Sequence, residues 1–347
     1  MTLRILLTGA GGFVGHHTLE HFLKNTNWEI VVIDSFRHYG LSARIREIFE
    51  VDSAFRSRVQ VITHDLRAPI DKVTASEIGD VDVIVNMASE SHVDRSIEAP
   101  RVFIENNTSL VLTMLDFART VSNLSLFIQI STDEVYGAAP QGYSSHEYDV
   151  ILPSNPYSAS KATQEAISIA YWRTYDLPIV ISNTMNIIGE RQDPEKFFPK
   201  IIAKTLQGSP IEVHAKFVND QWHAGSRCYL HARNQADALK FIIERFSQNS
   251  SRFSQGLVRP HRFHVVGEKE LKNDELVRII QSIIGKTSLI NYVDFHGARP
   301  GHDLRYALEP GSLKELGWSP PVPLEKSIEK SIDWYLKNPK WLQTNLI

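Results

Sequence analysis

Asp133 and Glu134 stand side by side in the stretch STDEVYG, directly after the apolar run Leu124 to Ile130. Neighbouring carboxyl groups in different surroundings can divide acid and base work, one protonated and the other ionised. A polar pair that ends a strand and caps a helix is the plainer use of the same dipeptide. Tyr157 and Lys161, in NPYSASKATQEA, are four residues apart and share one face of a helix. A lysine ammonium beside a phenol stabilises the phenolate and lowers its pKa, which makes tyrosine a usable base near neutral pH; a solvated helix face is the alternative.

A third constellation lies at the start of the chain, where the first apolar run passes into TGAGGFVG and sets Gly9, Gly12 and Gly15 at three-residue spacing. Glycines between a strand and a helix let the backbone approach a pyrophosphate, and the helix N-terminus supplies free N–H groups and a positive dipole end. Steric need alone also puts glycine in such turns. The second apolar run, VVID, ends in Asp34, roughly twenty residues further on, where an acid accepts hydrogen bonds from ribose hydroxyls and repels a 2′-phosphate. NAD is thereby favoured over NADP, with Arg37 as the one nearby residue that argues the other way. Asp65 and Leu66, in THDLR, are expected beside the adenine, and Lys161 can hold the nicotinamide ribose.

These groups need strands to carry them. The first half alternates β-branched runs (LRILLTG, EIVVIDS, VQVITHD, VDVIVNMAS, LSLFIQIST) with helical patterns. Continuous rather than alternating apolar runs imply strands covered on both faces, hence a Rossmann-type doubly wound parallel sheet in an α/β chain. After about Ile187 the pattern turns loop-rich and charged, so residues 1–186 are expected to form the NAD-binding domain with the catalytic residues. Residues 187–347 should form a smaller α/β substrate-binding region with some segments returning to the first. The 347 residues are 42% hydrophobic and carry a formal charge of -3, with no long run of one sign, which gives no electrostatic case for nucleic acid or membrane partners. The single Cys228 excludes an intrachain disulfide, and no apolar stretch approaches the ~20 residues needed to cross a bilayer. A cytoplasmic protein is expected.

Taken together, GxxGxxG and YxxxK resemble the extended short-chain dehydrogenase/reductase family, and within it the dTDP-glucose 4,6-dehydratases. The likeness runs through SESHVDRSIEAP, STDEVYG, PYSASK, PEKFFP, ARPGHDLRYAL and the closing LGWSPPVPLEKSIEKSIDWYL. It implies a cofactor set of Gly9, Gly12, Phe13, Val14, Gly15, Asp34, Asp65, Leu66, Ala88, Tyr157 and Lys161. It also implies that Tyr157 takes the C4 hydroxyl proton with help from Thr132, that Glu134 removes the C5 hydrogen and that Asp133 protonates the departing C6 oxygen. Related 4-epimerases usually carry small polar residues in place of the two acids. Substrate contacts are implied at Ser91, Asn186, Glu195, Lys196, Arg227, Arg299 and His302. For the segment after VDVIVNMA, a helix start with Asp94 and Arg95 paired structurally is the other reading.

Departures from the family pattern fall in the substrate half. SRCYLHARNQADAL keeps Arg227 but alters the positions of His231, Arg233 and Asn234, and VHAKFVNDQWHAG is a few residues longer than usual. These changes bear on base and sugar preference, so a UDP-sugar or a modified hexose stands beside dTDP-glucose. A UDP-sugar 4-epimerase, decarboxylase or 5,6-dehydratase, or a non-catalytic NAD-binding protein, are the alternative activities. His16, His17, His214 and His223 show no metal-ligand spacing, so no metal is expected. The helical segments PRVFIENNTSLVLTMLDFAR and YSASKATQEAISIAYWRTY carry enough apolar surface to pair with a second copy, and the family typically forms a homodimer through them as a four-helix bundle.

Overall fold

The structure, a computed structural model, describes residues 2–38, 40–247, 257–295 and 303–343. Its first half repeats strand and helix: β1 (Arg4–Thr8), α1 (Phe13–Asn25), β2 (Glu29–Asp34), α2 (Leu41–Val51), β3 (Val59–Thr63), α3 (Lys72–Ile78) and β4 (Val83–Asn86). Helices α4 (Val93–Glu98) and α5 (Pro100–Ala118) lead to β5 (Leu126–Thr132), and α6 (Pro156–Tyr175) leads to β6 (Ile179–Thr184). The later chain contributes β7 (Asn186–Ile188), α7 (Phe197–Gln207), β8 (Ile211–Val218), β9 (Gln221–Ala224) and β10 (Ser226–His231). It continues with α8 (Ala232–Phe246), β11 (His261–Val265), β12 (Glu270–Lys272), α9 (Asn273–Ile284) and β13 (Ile290–Asp294), and with a last long helix at Leu324–Lys337.

Seven strands form one parallel sheet in the order β11-β6-β5-β4-β1-β2-β3. Alternation along each strand feeds two faces. In β1, Ile5 and Leu7 join a core with α1 and α8, whereas Leu6 joins the opposite core with α5 and α6. Strand order reverses at β1, which opens the crevice in which such sheets bind ligands beyond their carboxyl ends. The later chain is divided between this sheet and a core of its own. β11 pairs with β6 as the edge strand and α8 covers the first face, while α7, α9 and the last long helix enclose Phe198, Ile202, Leu276, Ile280, Ile328 and Trp341.

Two local devices place the candidate site. Every residue of β5 is buried, up to Thr132, whose hydroxyl then accepts the Glu134 N–H at 3.4 Å and starts a short 3-10 helix, Asp133–Tyr136. Asn155 caps α6 by accepting from Ser158 N at 2.9 Å, and the Ser158 hydroxyl accepts reciprocally from Asn155 N at 3.1 Å. With Pro156 at the first helical position, Tyr157 falls in the first turn and Lys161 in the second.

Candidate active site

The glycine turn after β1 fits a dinucleotide on packing grounds. Gly9 has φ +70°, and a Cβ there would meet Ala88 Cα at 2.9 Å; a Cβ on Gly15 would meet the Gly9 carbonyl oxygen at 2.1 Å. Only glycine lets the turn, the end of β4 and the first turn of α1 approach so closely. No side chain caps α1 at Gly12, which leaves its first amides, those of Phe13 and Val14 among them, for an anion. Asp34 is buried at the end of β2, and its two oxygens accept from Gly11 N at 2.9 Å and Phe36 N at 3.0 Å. The motif spacing gave no notice of Gly11. Further lone pairs on the Asp34 carboxylate stay open to ribose hydroxyls. Asp65 accepts from Arg67 Nε at 2.9 and 3.0 Å, and that hydrogen bond, ahead of a smaller contribution from the Arg37 charge, brings its pKa down to about 2. Leu66 is packed in the core with Ile62 and Ile33, so it forms part of the wall rather than a polar contact. Arg37 is bound by Glu90 at 2.7 Å and Asn106 at 2.6 Å.

The two carboxyl groups occupy unlike environments. Asp133 is buried; its Oδ1 accepts from the Thr132 hydroxyl at 3.0 Å, and its Oδ2 is buried with no hydrogen-bond partner among the described residues. Burial first and the Glu134 charge second raise its pKa to about 7, with Arg227 opposing. Glu134 is half-buried and receives the Asn155 amide at 3.3 Å. One acid near its midpoint at neutral pH thus sits beside a second that is held by an amide donor, which suits an acid and base division.

Tyr157 lies against this pair: burial first, then Glu134 and Asp133, raise the pKa of its phenol, and a hydrogen bond with Thr132 opposes them. The expected lowering by Lys161 is absent, because the ammonium is turned toward β5. It donates to the Ile130 carbonyl and to Gln164 Oε1, both at 2.7 Å, and burial brings its pKa down to about 7 against the pull of Glu165. Thr132, Asp133, Glu134, Tyr157 and Lys161 are thus brought to one place, with the lysine on its inner side.

Behind them lies a buried network that motif reading did not reveal. Arg262 on β11 pairs with Glu165 on α6 at 2.8 Å and donates to Asn183 at 3.0 Å. Asn183 in turn donates to the Thr132 carbonyl at 3.0 Å and to Glu165 at 2.8 Å. Tyr136, in the same segment as the acid pair, meets His264 Nε2 at 2.8 Å. These residues tie the acid-bearing strand end to the lysine-bearing helix. Only the position of Glu165, one turn beyond Lys161, hints at the network in the sequence.

The substrate-side candidates divide. Lys196 begins α7 and donates to the Ser91 carbonyl at 3.4 Å, which joins the segments after β4 and before α7. Burial lowers its pKa, opposed by Asp193, Glu195 and Glu134. Glu195 accepts from Arg95 with both carboxylate oxygens, at 2.8 and 3.0 Å, which ties α4 to the segment before α7. Arg227 donates to the carbonyls of Ser226, Leu304 and Asp303 at 2.7, 2.8 and 2.7 Å and lies 4.5 Å from the Tyr306 ring centroid. Its charge reaches Asp133. Asn186 opens β7, paired with Tyr229 of β10. Arg299 and His302 lie outside the described residues. Arg44, missed in the motif reading, is almost fully buried and joins the glycine turn to the loop before α7, donating to Gly11 O at 3.4 Å, Arg191 O at 2.9 Å and Asp193 at 3.0 Å.

A Rossmann-type sheet with a glycine cradle at its switch point, and a tyrosine, lysine and two acids beside that crevice, defines a nucleotide-binding enzyme of the extended dehydrogenase/reductase class. The chain belongs to the GDP-mannose 4,6 dehydratase family, whose model matches residues 6–331. A dTDP-glucose 4,6-dehydratase of Salmonella typhimurium is 32% identical over 98% of this chain and 94% of its own length. A trifunctional protein of Arabidopsis thaliana, named for UDP-glucose 4,6-dehydratase, UDP-4-keto-6-deoxy-D-glucose 3,5-epimerase and UDP-4-keto-L-rhamnose-reductase activities, is 31% identical over 97% of this chain, which spans 48% of that protein. The crystal structure of a dTDP-glucose 4,6-dehydratase from Streptomyces venezuelae with NAD bound superposes with a TM-score of 0.83 at 31% identity, covering 98% of this chain and 99% of that one.

Proposed function

We propose that this protein is an NAD-dependent dehydratase that converts a nucleotide-diphosphate hexose, dTDP-glucose foremost, into its 4-keto-6-deoxy form. The observation that carries the chemistry is the pair of adjacent acids in unequal environments, Asp133 with a pKa of about 7 and an unpartnered oxygen, and Glu134 held by Asn155. When bound in the glycine cradle, NAD supplies the reversible hydride acceptor that a redox-neutral dehydration needs. Gly9, Gly12, Phe13, Val14, Gly15, Asp34, Asp65, Leu66 and Ala88 would hold or wall it.

Thr132 hydrogen-bonds the C4 oxygen, and Tyr157 takes the C4 hydroxyl proton. With the C4 hydrogen lost as hydride to the acceptor that bound NAD would supply, C4 becomes a ketone that acidifies the C5 hydrogen, which Glu134 removes. Asp133 gives its proton to the C6 oxygen, so the C5 hydrogen and the C6 hydroxyl leave together as the elements of water. Glu134 then returns a proton to C5 as the hydride taken from C4 would come back to C6, which completes the methyl group and leaves the cofactor unchanged overall. Burial and the two acids favour the neutral Tyr157 phenol, so its use as a base depends on the positive charge that bound NAD would bring to the site. Ser91, Asn186, Glu195, Lys196, Arg227, Arg299 and His302 would bind the sugar and the diphosphate, for which arginine forks are suited.

Residues 1–186 would then hold the cofactor and the reacting groups, and 187–347 mainly the sugar nucleotide. A homodimer built on α5 and α6 is supported by the packing of these two helices on one another and by the exposure of Val102, Leu112 and Tyr175 along them. A cytoplasmic setting is supported by the lone Cys228; among the described residues no helix is long and apolar enough to cross a membrane. The relative named for UDP-glucose favours UDP-glucose as the second substrate to consider. The test is to incubate purified protein, without added NAD, with dTDP-glucose, UDP-glucose, UDP-N-acetylglucosamine and GDP-mannose. Loss of one water from one of them supports the reading and names its base; a C4 epimer, a pentose with released carbon dioxide, or no product even when NAD is supplied overturns it.

A further inference from the structure

We propose that Arg37 is a cofactor-retaining residue, which with Glu90 and Asn106 straps the crevice at the carboxyl end of β1 and holds bound NAD against release. The proposal rests on the NAD-dependent reading above. Arg37 follows Asp34, the last residue of β2, and Glu90 follows Asn86, the last residue of β4. In the sheet β1 lies between those strands, and its glycine turn fills the gap, with Gly11 donating to Asp34 on one side and Gly9 against Ala88 on the other. A link from Arg37 to Glu90 must therefore cross the carboxyl end of β1, where a sheet of this kind receives its ligand.

The link is made by well-formed contacts. One guanidinium nitrogen donates to Glu90 Oε1 at 2.7 Å and to Asn106 Oδ1 at 2.6 Å, and the other terminal nitrogen is 3.6 Å from Asp65 Oδ2. His38 Nε2 lies 2.8 Å from the same Glu90 oxygen, and that contact, ahead of the charges of His38 and Arg37, keeps the Glu90 carboxyl below its usual range. The far anchor is rigid: Asn106 is buried on α5 and donates to Asn107 Oδ1 at 3.0 Å, and Asn107 also donates to the Glu90 carbonyl at 3.1 Å. Three strand ends and one helix thus converge on a single arginine. A dehydration that leaves its cofactor unchanged overall is interrupted whenever the cofactor departs in the reduced state, so slow release is what such a strap would provide.

The experiment loads the full chain with NADH, chases it with excess NAD and follows release through nicotinamide fluorescence, beside the NAD content that survives desalting. Arg37→Ala should release about ten-fold faster, the equivalent of one lost charge-assisted hydrogen bond. Asn106→Ala should move in the same direction, and Arg37→Lys, which keeps the charge but not the fork, should fall between. Arg67→Ala removes a neighbouring guanidinium bound to Asp65 and should release as the parent does. Equal release from Arg37→Ala and the parent would overturn the strap, as would an acceleration by Arg67→Ala as large as that of Arg37→Ala. A parent protein that takes up no NAD would overturn the cofactor reading and the strap together.

Discussion

Replacing Asp133 by asparagine keeps the side chain's shape and removes its charge, and the structure predicts opposite effects on stability and on turnover. Burial, then Glu134, raises the carboxyl from 3.8 to about 7. At about 1.4 kcal/mol per pH unit that difference is on the order of 4 kcal/mol. The folded protein holds this proton more tightly than the unfolded chain does. The stabilisation is therefore complete below about pH 4 and is lost as pH rises through about 7. Asp133→Asn has no such loss, so its stability advantage over the parent should grow between pH 5 and pH 8, toward an upper bound of about 4 kcal/mol, read by urea unfolding at the two pH values. The same change removes the acid at the C6 oxygen, a loss of roughly 10²–10⁴-fold in turnover. Tyr157 and Lys161 are untouched, so oxidation at C4 should proceed and reduced nicotinamide should accumulate, visible as near-ultraviolet absorbance on mixing with substrate. Parent-like turnover, or a stability advantage that shrinks toward pH 8, would refute the assignment of Asp133 as a buried acid.

Other substitutions separate the parts of the site. Gly15→Ala places a methyl 2.1 Å from the Gly9 carbonyl oxygen, and its NAD content after purification should fall well below one per chain. Asn155→Ala removes both the α6 cap and the amide on Glu134; it should lose about 1 kcal/mol of stability in denaturant titration and slow C5 hydrogen exchange more than it weakens binding of the nucleoside diphosphate. Arg262→Met leaves Glu165 buried with the Asn183 amide but without its ion-pair partner and should cost roughly 3–5 kcal/mol, seen as a large drop in the thermal midpoint. Tyr157→Phe should bind the sugar nucleotide as tightly as the parent yet show no reduced nicotinamide, because the base for the C4 proton is gone.

What could be read from the sequence was local. The glycine turn, Asp34, the acid pair and the tyrosine and lysine each sit within a few residues of a strand end or a helix start, so chain geometry alone predicts their place at the crevice. The groups that tune them come from far along the chain. Arg262 reaches Glu165 from β11, Arg44 reaches Asp193 from α2, and Asn155 reaches Glu134 from the next helix, contacts that depend on tertiary packing and leave no periodic trace. Lys161 shows the limit most clearly. Its spacing puts it on the face of Tyr157, but the polar groups offered by Ile130 and Gln164 decide where its ammonium goes. The Arg37 contacts were equally hidden, since its two strongest acceptors follow β4 and lie on α5.

The most direct test of the dehydration mechanism uses a sugar nucleotide carrying deuterium at C4. Hydride removed from C4 and returned to C6 would place that deuterium in the C6 methyl group of a 4-keto-6-deoxy product, while a reaction run in deuterated water would place solvent deuterium at C5. A product that keeps its label at C4, or a dehydrated sugar whose methyl group carries none of it, would contradict the intramolecular hydride return on which the roles of Tyr157, Asp133 and Glu134 depend.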